Sequence, residues 1–193
     1  MIRNQFTSSN ASMLLIDHQV GTMSWVKSIQ FEELKRNALM LAKAAQILGI
    51  PTILTSSMEE NVQGPLLTEL ESILPASFKN RVKREGIVNA MDDENFAQAV
   101  KNTGRKKIIV AGVTNDVCTV YPTLTLLEEG YEVQVVADAG GSPSKIADEI
   151  ALRRMENAGA VLTSTNQLIA ELAVSWATPE GSKLVTIMAD SLS

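Results

Sequence analysis

The segment Lys107-Ile-Ile-Val-Ala-Gly-Val-Thr-Asn-Asp-Val-Cys118 carries the most structural information in this chain. Lys107 to Ala111 reads as a strand, and an unbroken apolar run of this kind suits a sheet covered on both faces. Residues 115–129 then read as a helix that stops at Gly130. The same alternation continues on either side. Met13 to Ile16 is a first strand ending at Asp17. Residues 31–48 are a helix, with Leu34, Ala38, Leu41, Ala45 and Leu48 three and four apart and Gly49 closing it. Pro51 to Thr55 is a second strand, followed by a Gly64-Pro65 turn and a short helix from Leu66 to Leu74. Residues 79–82 are a third strand and 93–102 a helix closed by Gly104. Val133 to Ala137, residues 144–158 ending at Gly159, Ala160 to Leu162, and residues 165–174 complete the series. Residues 178–193 show no clear period.

Strands alternating with helices predict an α/β fold, a parallel sheet between two helical layers. Six such strands predict the order 3-2-1-4-5-6. The 193 residues suit a single domain, with a core over about 10–175 and a tail over 176–193. Apolar residues make up 45% and charged residues 20%, which argues against intrinsic disorder. A net charge of -5 lacks the basic footprint of a nucleic-acid binder, and Arg105-Lys106-Lys107 reads as the solvated end of a strand. No apolar run is long enough to span a bilayer, and no apolar h-region follows Arg3. The expectation is a cytoplasmic protein with no membrane partner, in which the sequon Asn10-Ala-Ser12 is a chance match. One cysteine and one histidine rule out an intrachain disulfide and a Cys/His zinc site by counting, and no cofactor is expected.

Open α/β sheets bind ligands beyond the carboxyl ends of the strands, where the strand order reverses. In this order the reversal lies between strands 1 and 4, so Asp17 and Cys118 flank one crevice. Cys118 falls in the first turn of the helix 115–129, where free amides and the helix dipole favour a thiolate. It reads as a nucleophile or as a small buried filler. Asp17 reads as a general base for the thiol or as a cap. His18 neighbours Asp17, but adjacent strand residues face opposite sides. It is therefore expected as a pocket wall or a buried hydrogen-bonding residue rather than a base. Lys83 and Arg84 follow the third strand and reach the same edge, either as substrate-holding cations or as surface charges. Gly140-Gly141 lacks a phosphate-binding pattern and reads as a flexible turn. Trp25, Met58, Met91 and Tyr121 fall in or near loops after strands 1 to 4 and are candidate pocket walls or packing residues.

Three strings carry a resemblance: Leu14-Leu15-Ile16-Asp17-His18-Gln19, Arg84-Glu-Gly-Ile-Val-Asn-Ala-Met91, and Ala111-Gly-Val-Thr-Asn-Asp-Val-Cys118. Together, over residues 10 to 175, they resemble the isochorismatase-like cysteine hydrolases. The Asp-His-Gln variant and Asn89 to Phe96 are similar to the YcaC-like subgroup. The resemblance implies an aspartate–lysine–cysteine triad. Asp17 and Cys118 match two members, and Arg84 stands at the cation position with Lys83 as the alternative. Arginine stays protonated, so its role there is electrostatic. The resemblance also implies a cis peptide at Val113–Thr114, an oxyanion hole from the amides of Thr114 and Cys118, and substrate contacts that include Gln19 and Val113.

The implied activity is hydrolysis of a small carboxamide or related C–N bond through a Cys118 thioester. Isochorismate cleavage is disfavoured because Cys118 is present, and nicotinamidase because no Asp-x-His metal motif exists. The alternative is a ligand-binding or oligomeric scaffold that keeps the fold without catalysis. A redox role for Cys118 would need an outside thiol, since no resolving cysteine exists in the chain. The resemblance further implies a homo-oligomer, octameric in the YcaC-like subgroup. Leu184-Val-Thr-Ile-Met188 is the candidate interface segment, or else a core strand.

Overall fold

The computed structural model describes residues 5–190. Six parallel strands form one sheet: β1 (Ala11–Ile16), β2 (Thr52–Ser57), β3 (Val82–Arg84), β4 (Lys107–Gly112), β5 (Glu132–Val136) and β6 (Val161–Thr163). Their spatial order is β3-β2-β1-β4-β5-β6, so the reversal lies between β1 and β4 as the alternation predicts. β1 is buried along its whole length because it is paired on both edges and covered on both faces.

The alternation hidden inside the apolar runs becomes visible in the packing. Met13, Leu15, Ile109 and Ala111 face one side and pack against α2 (Phe31–Leu48) and α8 (Thr165–Ala173) through Leu34, Leu41, Leu168 and Leu172. Leu14, Ile16, Ile108 and Val110 face the other side. There they meet α5 (Glu94–Asn102), α6 (Val120–Glu128) and α7 (Lys145–Asn157) through Phe96, Val100, Leu126 and Met155. Successive strand residues point to opposite faces, so each run feeds two cores. Gly49 closes α2 in the left-handed conformation at φ 64°, and Asp93 caps α5 by accepting from the amides of Asn95 and Phe96.

Five elements depart from the periodicity. A five-residue α1 (Val20–Ser24) follows β1, too short to show a repeat. The helix expected from Leu66 to Leu74 is split into α3 (Glu69–Ile73) and α4 (Pro75–Lys79), with Pro75 opening the second piece. Because α4 runs to Lys79, the third strand lies at 82–84 instead of 79–82, and it pairs Ser57 with Arg84. The stretch 115–129 begins as a π-helical turn (Asn115–Thr119) and becomes α6 only at Val120. The tail is a helix, α9 (Pro179–Asp190), packed on α2 and α8 through Leu184, Ile187 and Met188 against Met40, Ala44, Ile169 and Ala173. Leu184 to Met188 is therefore helical and not a strand, with Leu184 buried within the chain itself and Val185 exposed.

Candidate active site

The chain leaves β1 abruptly. Asp17 has φ 57°, a conformation that Asp tolerates better than most residues, and its N–H donates to the carbonyl of Thr55 on β2. This turn aims the Asp17 carboxylate along the carboxyl end of the sheet. Arg84, the last residue of β3, reaches the same point. Its Nη2 donates to Asp17 Oδ1 at 2.5 Å and also to Oδ2, its Nε donates to Thr55 Oγ1 at 3.0 Å, and its Nη1 donates to the carbonyl of Ile87. The Thr55 hydroxyl in turn donates to the carbonyl of Val82 at 2.8 Å. Asp17 and Arg84 are 1% and 2% exposed, so this is a buried ion pair.

Cys118 completes the cluster from the π turn after β4. Its side chain is hydrogen-bonded to Asp17, and its sulfur meets the Thr114 backbone. The Val113–Thr114 peptide is cis. Burial pushes the Cys118 thiol up from its ordinary value and the Asp17 charge pushes it further, while Arg84 and the Thr114 backbone pull it down less strongly. These surroundings therefore favour the neutral thiol. The thiolate expected from a helix first turn is not favoured here, because Cys118 lies in a π turn beside a carboxylate. Burial also raises the Asp17 carboxyl, opposed by the charge and hydrogen bonds of Arg84 and by Cys118. A carboxylate of raised basicity next to a thiol is suited to accept its proton.

These three side chains open into a cavity of about 180 Å³. Trp25, Ile87, Val88 and Val117 supply its apolar wall, and Thr22, Ser57 and Gln63 its polar one. Of the expected walls, Trp25 alone is in place. His18 is fully buried, and its Nε2–H donates to the carbonyl of Ala139 at 2.8 Å. Gln19 is a clamp between loops: its amide donates to Ser57 and Gly64 carbonyls and accepts from the Ser57 N–H. Met91 and Val113 are core residues. Met58 lies beside Gly86 outside the lining, and Tyr121 stands under the Arg154 guanidinium, 5.6 Å from it. Lys83 is not the cation of the site. It is 58% exposed and paired with Glu59 at 2.9 Å, because consecutive strand residues alternate and Arg84 takes the inward position.

Ile87, Val88 and Val117 were findable as neighbours of Arg84 and Cys118, whereas Thr22, Ser57 and Gln63 carry no local signal. Gly140 is a close-approach residue instead of a flexible turn. A Cβ there would stand 2.1 Å from Asn115 Oδ1 and 2.6 Å from the Gly112 carbonyl. The Asn115 N–H donates to the Gly141 carbonyl at 2.7 Å, so this turn buttresses the loop that carries Cys118.

The fold and the cluster together define a doubly wound α/β protein with a carboxylate, a guanidinium and a thiol at its switch point. The Isochorismatase domain family matches residues 11–167, and the chain belongs to that family. It is 40% identical to the "Probable hydrolase YcaC" of Escherichia coli over 168 residues, 87% of this chain and 80% of that one. It superposes on YcaC from Pseudomonas aeruginosa, solved with hexane-2,5-diol and covalent acrylamide, with a TM-score of 0.92 at 36% identity, covering 100% of this chain and 96% of that one. The crystal structure of Escherichia coli YcaC, described as an octameric hydrolase of unknown specificity, matches at TM-score 0.87 and 36% identity over the full length of both chains.

Proposed function

We propose that this protein is a cysteine hydrolase that cleaves a small carboxamide or related C–N bond. The observation that carries the reading is the meeting of Asp17, Arg84 and Cys118 in one cavity. The Cys118 sulfur attacks the amide carbonyl as Asp17 takes the thiol proton. The oxyanion develops near the Thr114 and Cys118 amides. Asp17 returns the proton to the nitrogen, the C–N bond breaks, and ammonia or an amine leaves a Cys118 thioester. Water then attacks the thioester with Asp17 as base, releasing a carboxylic acid and restoring the thiol. Arg84 holds Asp17 in place and balances its charge, and it takes no part in proton transfer. The hydrolase description of the Escherichia coli relative supports this reading. So does covalent acrylamide in the Pseudomonas relative, since an acrylamide adduct needs a nucleophile and this chain has a single thiol.

The test is ammonia release from a panel of small amides, with intact mass of the quenched enzyme. Turnover with an acyl adduct on the wild type, and neither on Cys118→Ala, is the expected result. Equal turnover by Cys118→Ala would overturn it, and silence across the panel with an inert thiol would leave the scaffold reading. A homo-oligomer belongs to the same proposal, supported by the octameric relative. Light scattering reads it directly, and a monomer mass would remove it.

A further inference from the structure

Resting on the thiol-hydrolase reading, we propose that the cavity selects a small uncharged amide and rejects carboxylates of the same size, with Thr22 and Gln63 accepting the amide N–H groups. The argument begins with charge. Among the lining residues Asp17 and Arg84 are the ionised pair, and they neutralise each other. The guanidinium's charge is already matched by Asp17, and four of its five N–H donors are taken. Thr55 holds its Nε, Ile87 holds its Nη1, and both Asp17 oxygens hold its Nη2. A substrate carboxylate would shed its water, meet the Asp17 carboxylate, and find no unpaired cation in return.

The polar groups left over include two buried oxygens able to accept, of which Gln63 Oε1 can only accept while the Thr22 hydroxyl can also donate. The Thr22 hydroxyl oxygen and Gln63 Oε1 are buried without a hydrogen-bond partner, and both residues line the cavity. A carboxamide brings two N–H donors, whereas a carboxylate brings none. Leaving a buried acceptor unmet is costly, so a donor-bearing ligand is favoured over an isosteric acceptor. Apart from Ser57, the remaining wall is apolar, made by Trp25, Ile87, Val88 and Val117. The volume of about 180 Å³ lies below the roughly 300 Å³ at which drug-sized pockets begin.

The test compares iodoacetamide with iodoacetate. Both alkylate a thiol by the same displacement: the C–S bond forms, iodide leaves and the thiol proton is lost. They differ in bearing a carboxamide or a carboxylate. Intact mass reports Cys118 without ambiguity, since it is the sole cysteine. The chain carries a net charge of -5, so the rates are taken in about 1 M salt, where screening acts within ~3 Å. The amide-to-carboxylate rate ratio of the folded protein is divided by that of the urea-unfolded chain. A quotient of about ten or more is expected, reduced several-fold in Thr22→Val with an unchanged melting temperature. A quotient near one, or one favouring iodoacetate, overturns the proposal while leaving the nucleophile intact. An unchanged quotient in Thr22→Val overturns the role of that hydroxyl. A folded protein inert to both reagents while the unfolded chain reacts would overturn the hydrolase reading, and this inference with it.

Discussion

At the level of single residues, the chemistry turns on one carboxylate that does two opposed things to the thiol. Asp17 accepts the Cys118 hydrogen bond and so stands ready as a base, yet its charge pushes the thiol up and keeps it protonated at rest. Removing that charge separates the two effects. Asp17→Asn leaves Arg84, which lowers the thiol, without the opposing anion. Alkylation of Cys118 at pH 8 should then be faster than in the wild type. Amide turnover should fall by about 10²–10⁴-fold, since the proton has nowhere to go. Parallel loss of both rates would show that Asp17 does no more than hold the site together.

At the level of elements, the site depends on how closely two loops approach one another. The turn after β5 presses on the loop after β4, and Gly140 is where no side chain fits. Gly140→Ala should cost about 2 kcal/mol by overpacking, a fall of roughly 4–8 °C in Tm for a chain of this size. It should also lower amide turnover, because the displaced Asn115 belongs to the turn that carries Cys118. An unchanged melting curve would mean the two loops part freely.

At the level of the whole molecule, acid stability follows from burying the one histidine. His18 has its Nε2–H on the Ala139 carbonyl and no partner at Nδ1, so a second proton would have no acceptor. Burial lowers its pKa from 6.5 to about 4. Above pH 6.5 it is neutral in both states and the stability is complete. As pH falls from 6.5 the unfolded chain binds a proton that the folded chain refuses, and stability declines until the folded state protonates near pH 4. The loss across that window is about 3 kcal/mol. Glu59, held down to about 2 chiefly by its hydrogen bonds with Arg81, extends the decline at lower pH. Urea unfolding as a function of pH should show this slope in the wild type and lose most of it between pH 6.5 and 4 in His18→Asn. The same slope in both would place the acid response elsewhere.

The strand order, the helix 31–48 and the placing of Asp17 and Cys118 on one crevice were legible in the residues alone, because periodicity and helix stops are local and a parallel sheet has few arrangements. The tail was not legible in this way: residues 178–193 show no clear period by themselves, and the helical spacing of Leu184, Ile187 and Met188 stands out only once α9 packs on α2 and α8. What required the tertiary structure was direction. Lys83 and Arg84 are adjacent cations on a three-residue strand, and only the register of β3 on β2 turns Arg84 inward and Lys83 out. Thr22 comes from α1 and Gln63 from the loop after β2, and no pattern joins them until the sheet brings the two together. The protonation of Cys118 also had to wait for the fold. Position on a helix argued for a thiolate, whereas burial and a carboxylate delivered from another strand hold the thiol neutral.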